Sequence, residues 1–363
     1  MIYGWFTIIY SMLTQEKINE IAQKKGKINT KEIAEEFKVS RQYTSGMISS
    51  LVKAGKLIKI GSTRKAFYIF PEYASRHKEI FPTKLVKALK NENLEEHKVL
   101  KEIEDNLPFL FKLSENVRDI FTYAFLEMLN NAIEHSQSKN IIIEVKTENK
   151  TLSFCVNDFG IGVFRSVMEK KGLQSELEAV EDLLKGKTTT APKLHSGEGI
   201  FFTSKVGDIF ILDSFGNQLT IDNKIKDVFL KKQKSKKGTK VVFKMAINSP
   251  IHLGNIFKKY SDVETGDYGF DKTEIKIKLY TIGGIYISRS QARRVLVGLE
   301  KFKFITLDFD KVPMVGQGFA DEIFRVFHLK YPKIKIQEIN TNSAVQFMIE
   351  RAKKEAGENL QVE

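Results

Sequence analysis

An apolar stretch, Leu152 to Val156, runs without a break into Asn157-Asp158-Phe159-Gly160-Ile161-Gly162, and no other junction constrains the chain as much. A short apolar run of this kind is a buried strand. Its end carries a carboxylate, and glycines two residues apart let backbone approach a flat ring closely. Asp158 in that position can accept from an exocyclic amine of a base. Asp-x-Gly-x-Gly alone is also an ordinary turn, so its meaning depends on its neighbours.

The neighbours are informative. Ser114 opens a long helix, Glu115 to about His135, with Val117, Ile120, Phe121, Ala124, Phe125, Met128 and Leu129 as a buried stripe. Glu127 and Asn131 lie four residues apart on one helix face. There a carboxylate can take a proton from water or a hydroxyl, and an amide oxygen can ligate Mg²⁺ on a phosphate. A first strand, Ile141 to Val145, precedes the Asp158 strand. Further on, His195-Ser196-Gly197-Glu198-Gly199-Ile200 leads into a helical segment, Phe201 to Val206. Free amides of a glycine-rich loop at a helix start form a phosphate cradle. Gly238-Thr239 then enters a strand through Phe243, after a lysine run, Lys231 to Lys237, that suits a solvated hairpin.

These four pieces, in this order over residues 113 to about 247, resemble the Bergerat-fold GHKL ATPases: gyrase, the Hsp90 chaperone, histidine kinases and the mismatch-repair protein MutL. The resemblance implies ATP and Mg²⁺ as cofactors. It makes Glu127 the general base, Asn131 the Mg²⁺ ligand and Asp158 the adenine contact with Thr239 beside it. It places Gly160 and Gly162 on the adenine side, and Ser196, Gly197 and Gly199 on the triphosphate. Lys187, Thr189 and Thr190, with His195, correspond to a mobile lid. Histidine kinases usually carry asparagine where this chain has Glu127, so autophosphorylation on histidine is not expected, and His135 is read as a helix cap or supporting residue.

Residues 15 to 70 read as three short helices and two strands, with Ile18, Ile21 and Ala22 on one face, Thr30 capping the second helix and Ser40 the third. This resembles a winged helix-turn-helix. The resemblance implies DNA contacts from Arg41, Gln42, Tyr43 and Thr44 in the groove, and from Arg64 and Lys65 on the wing. Residues 1 to 90 hold 17 Lys/Arg against 7 Asp/Glu, an excess that attracts polyanions. Protein binding or dimerisation is the alternative for this module. Residues 71 to 112 are expected to form a helical linker, Lys84 to Glu104, ended by Leu107-Pro108, with His97 as an exposed helix residue.

After a linker near 247 to 271, strands at 274–279, 304–309 and 334–339 alternate with helices from Ser290, Phe319 and Ser343, which implies a small α/β sandwich. The strand holding Asp308 and Asp310, followed by Gly316-Gln317-Gly318 and a helix, resembles the STAS-like domains of anti-sigma-factor antagonists. Those carry a phosphorylatable hydroxyl in that loop, whereas Val315 to Gly318 has none. Ser288 and Ser290 remain elsewhere.

Cys155 is the single cysteine, so no intramolecular disulfide forms, and it is expected in a buried strand. The apolar Met1 to Leu13 is too short to span a bilayer. It is read as a start-site extension or as an arm packing on the body or on a second copy.

The expected architecture is therefore α+β: a winged helix-turn-helix (1–75), a helical linker (76–112), a central Bergerat-type α/β sandwich (113–250) and a STAS-like α/β domain (270–355). The expected protein is cytoplasmic and not membrane-bound, with DNA, a protein partner of the STAS-like domain, and a second copy of itself as partners. Its expected function is that of an ATP-binding, ATP-hydrolysing regulator. The alternatives are an anti-sigma-type serine/threonine kinase and a repressor that uses ATP only as ligand.

Overall fold

The computed structural model describes residues 12–61, 66–77, 80–187, 198–261, 270–277 and 288–359. The chain is mixed α+β and divides into two compact units, one of residues 1–85 and 101–112, the other of 86–100 and 113–363. Among the described residues no helix is long and apolar enough to cross a membrane.

In the first unit, α1 (Gln15–Lys25), β1 (Lys27–Ile28), α2 (Thr30–Glu36), α3 (Arg41–Lys53), β2 (Ile58–Ile60), β3 (Phe67–Ile69) and α4 (Pro71–Arg76) follow in order. The three strands form an antiparallel sheet, β1-β3-β2. Thr14 and Ser40 cap α1 and α3, the Ser40 hydroxyl accepting from Tyr43 N at 3.1 Å. The cap of α2 is Asn29 and not Thr30: Asn29 keeps extended backbone, and its side-chain oxygen accepts from Glu32 N at 2.8 Å. Ile18, Ala22, Ile33, Ile48, Leu51 and Leu57 close a small core between the helices and the sheet.

The expected helical linker is corrected at its start. Residues 84 to 90 form a strand, β4 (Lys84–Lys90), that lies beside β5 (Asn140–Glu148) at the edge of the large sheet. Lysines at 84, 87 and 90 fit a helical face, but they equally suit a sheet edge, where charge discourages pairing with another chain. The helix begins only at α5 (Glu96–Asn106). His97 is exposed there and lies 3.2 Å from Glu95.

The second unit continues with α6 (Glu115–His135), β5, β6 (Thr151–Asp158), α7 (Val163–Lys171), α8 (Glu176–Lys185), α9 (Gly199–Val206), β7 (Ile209–Ser214), β8 (Asn217–Asp222), β9 (Asp227–Lys232), β10 (Thr239–Ala246) and α10 (Leu253–Tyr260). Seven strands form one sheet in the order β4-β5-β6-β10-β7-β8-β9. The apolar stripe of α6 packs on it. Phe121 and Phe125 meet Phe154 edge-on, and Phe154 stacks on Phe243 with centroids 5.0 Å apart. The stretch expected as a linker after Ile247 contains α10, whose Phe257 meets Tyr123 and Phe202 edge-on, an apolar face that ends the run as a helix instead of a loop.

The last part holds β11 (Lys272–Lys276), α11 (Arg289–Leu296), β12 (Phe304–Asp308), α12 (Gln317–Asp321), a π-helical stretch Glu322–Phe327, α13 (His328–Lys330), β13 (Lys335–Ile339) and α14 (Ser343–Asn359). Its strands are parallel in the order β11-β12-β13. Ile305, Leu307, Phe319, Ile323 and Val345 form a core that is continuous with Phe201 and Phe202 of α9. Middle and C-terminal regions thus bury apolar surface together, which explains why they fall in one compact unit.

Candidate functional site

Glu127 and Asn131 sit half-buried on α6. The start of α9 crosses the helix at Glu127, so closely that a Cβ on Gly199 would overlap the Glu127 Oε2 atom. Only a residue without a side chain allows this approach. Tyr123, one turn before Glu127, lies near Glu127 and Glu198. Burial first, and then these two carboxylates, hold its phenol in the neutral form.

Asp158 ends β6 and is 4% exposed. Its Oδ1 accepts from Gly160 N at 2.9 Å and from Thr239 N at 3.1 Å. Burial pushes its carboxyl above the usual range, and the bonds from Gly160 and Thr239 only partly oppose this. The Thr239 hydroxyl accepts from Val163 N at 2.9 Å, which fixes the start of α7 just after Gly162, the N-cap of that helix.

The C-terminal end of α6 is tied to the same loop. The Ser136 carbonyl accepts from Ile161 N at 2.9 Å, and a Cβ on Gly160 would overlap that carbonyl oxygen. Ser138 donates to Asn140 O and accepts from Phe159 N. One helix therefore touches the Asp158 loop at its end and the Gly199 turn at its middle. Nine residues separate Glu127 from Ser136, about 13 Å of helix. His135, in the last turn of α6, is half-buried beside Glu134.

One expected position falls elsewhere. Lys187 Nζ donates to Lys301 O at 3.1 Å and lies 3.5 Å from Asp271 Oδ1, so it is engaged with the C-terminal part and not aimed over Glu127. Its ammonium also faces the Phe302 ring. Thr189, Thr190, Ser196 and Gly197, and His195 with them, lie outside the described residues. Cys155 is half-buried, its thiol pushed up in pKa by burial.

In the first unit, Arg41, Gln42 and Tyr43 are exposed on the opening turn of α3, whereas Thr44 is fully buried and donates to Ser40 O at 3.1 Å. Thr44, expected as a groove contact, is a helix-start and core residue instead, because four residues after the cap it turns inward. Arg64 and Lys65 lie outside the described residues.

Ser136, Ser138, Tyr123 and Glu198 extend the set of residues around the site. Tyr123 was discoverable from its i to i+4 relation with Glu127. The two serines were not, because their partners are carbonyls and amides brought in by the fold.

Ser288 caps α11 in a capping box with Gln291. Gly316, in the loop that lacks a hydroxyl residue, caps α12. No curated protein matches the chain. A family model described as a STAS-like domain of unknown function (DUF4325) matches residues 291–346, which hold β12 and β13 of the parallel sheet with their helices: the C-terminal part of the chain carries a STAS-like domain.

Proposed function

We propose that the central region is a Bergerat-type ATPase module, and that the chain is a regulator in which nucleotide state bears on a winged helix-turn-helix head and on the STAS-like tail. The observation that carries this is the convergence of two distant loops on α6: Asp158 with Gly160 and Thr239 at one end, Gly199 against Glu127 at the other.

The donor set suits the ligand. Asp158 bears a burial cost that the bonds from Gly160 and Thr239 offset only in part, and an exocyclic amine of adenine would offset the rest. The start of α9 offers backbone amides to phosphate oxygens. Asn131 would hold Mg²⁺ by its amide oxygen together with phosphates and water, and the ion would supply charge neutralisation there. Glu127 would accept a proton from the attacking water, with Tyr123 beside it one turn earlier on the helix. Arg41, Gln42 and Tyr43 would meet DNA through the exposed first turn of α3.

The test is purified protein with Mg²⁺ and ATP labelled on the γ-phosphate. Wild type is expected to release free phosphate, Glu127→Ala to bind without turnover, and Asn131→Ala to lose Mg²⁺-dependent binding. Label transferred to protein would establish the kinase alternative instead. Neither binding nor turnover in wild type would sink the reading.

A further inference from the structure

Between the large sheet and the STAS-like domain lies a cleft of about 520 Å³, in the size range of small-molecule sites. It opens at the C-terminal ends of β11, β12 and β13, where Lys276, Asp308 and Asn340 stand. The carboxyl edge of a parallel sheet is the usual ligand edge of such folds.

The charges in the cleft are unevenly matched. Asp308 is satisfied: it accepts from Lys276 Nζ, Asn340 Nδ2 and Asp310 N, each at 2.9 Å. Asp227 is likewise occupied, by Lys311 at 2.8 Å. Lys205 and Lys259 are not. Lys205, on the last turn of α9, has its ammonium 5.2 Å from the Phe201 ring centre and 5.8 Å from that of Tyr260; Lys259 lies 5.1 Å from the Tyr260 ring centre. Neither makes a hydrogen bond or ion pair among the described residues. Burial draws the Lys205 pKa down, with Glu274 opposing only in part. The half-buried Lys205 and the exposed Lys259 thus stand around one tyrosine with no hydrogen-bonded anion, Glu274 acting on Lys205 only at longer range.

We infer that this cleft binds a small organic phosphate, with Lys205 and Lys259 on the phosphate and the Tyr260 hydroxyl, Glu274 and Asn340 facing the hydroxyls of its organic part. The site is separate from the one proposed for ATP. Lys205 and Gly199 are the two ends of one short helix, so both sites bear on α9.

The probes are inorganic phosphate and ribose 5-phosphate, titrated into the full chain by calorimetry and by ³¹P line broadening. Ribose 5-phosphate is expected to bind at ~1 mM or tighter, and Lys205→Gln or Lys259→Gln to weaken it about tenfold, the loss of one charge-assisted contact. Lys205→Arg should retain binding, and an unchanged far-ultraviolet spectrum shows that each variant folds. Asp158→Ala, which removes the proposed adenine contact, should leave ribose 5-phosphate binding intact, so failure of the ATP reading would not imitate failure here. The inference is overturned if neither probe binds wild type, or if binding is unchanged in both glutamine variants.

Discussion

Glu127 Oε2 occupies the space into which a side chain on Gly199 would project, so a carboxylate on one helix rests against bare backbone at the start of another. That contact and the one between Gly160 and Ser136 look alike but have opposite consequences.

At Gly199 the obstructing atom is the end of a flexible side chain. Gly199→Ala is therefore expected to fold, with a melting temperature near or slightly above wild type because alanine favours a helix by up to about 1 kcal/mol. It should lose ATP turnover because the Glu127 carboxylate is displaced. Melting and phosphate release measured on one preparation check this; wild-type turnover would show that the Glu127 position is irrelevant.

At Gly160 the obstructing atom is a main-chain carbonyl, which cannot swing away. Gly160→Ala should destabilise the second unit by ~2 kcal/mol or more, through backbone displacement and loss of the Ile161 to Ser136 bond. Urea unfolding of the two proteins measures the difference.

Glu181, on α8, is 4% exposed, and burial pushes its carboxyl up to about 7 against the pull of Arg294 and Lys185. Its folded pKa lies above the ordinary glutamate value of 4.5, so between these pH values the native state holds more proton than the unfolded one. Stability from this group falls as pH rises through that window, by on the order of 3 kcal/mol. Glu181→Gln should flatten the dependence and raise the melting temperature at pH 8 relative to wild type. Parallel pH profiles of the two proteins would refute this if they coincide in slope.

Phe202 lies in the core shared by α9 and the STAS-like domain. Phe202→Ala is expected to cost ~3–5 kcal/mol. It should also raise amide exchange in β11 and α10 as well as in α9, because Phe270 and Phe257 lose a ring partner. Exchange confined to α9 would mean the two regions do not share stability.

On α3, Arg41→Ala and Gln42→Ala are expected to weaken DNA binding with little change in melting, and Arg41→Ala to lower the salt slope by about one. Thr44→Val should instead lower stability, its hydroxyl bond to Ser40 being lost inside the core. Band-shift titrations at several salt concentrations, with melts, separate these effects.

Local chemistry determined much of this protein in the sequence alone. The stripe from Val117 to Leu129, the cap at Ser40 and the strand running into Asp158 depend on neighbours within a few residues, and they stand where periodicity and capping put them. Tertiary structure decided what depends on partners far along the chain. Lys84 to Lys90 became a strand because the large sheet had an open edge for it, and the segment after Ile247 became α10 because Tyr123 and Phe202 offered its apolar face a place. Lys187 turned toward Asp271, and Phe201 and Phe202 toward a domain about 70 residues on, because burial of apolar and ionic groups is settled by three-dimensional proximity, which periodicity does not encode. The carboxylate on Gly199 belongs to this second class: both residues were legible, and only the packing of α6 on α9 brought them together.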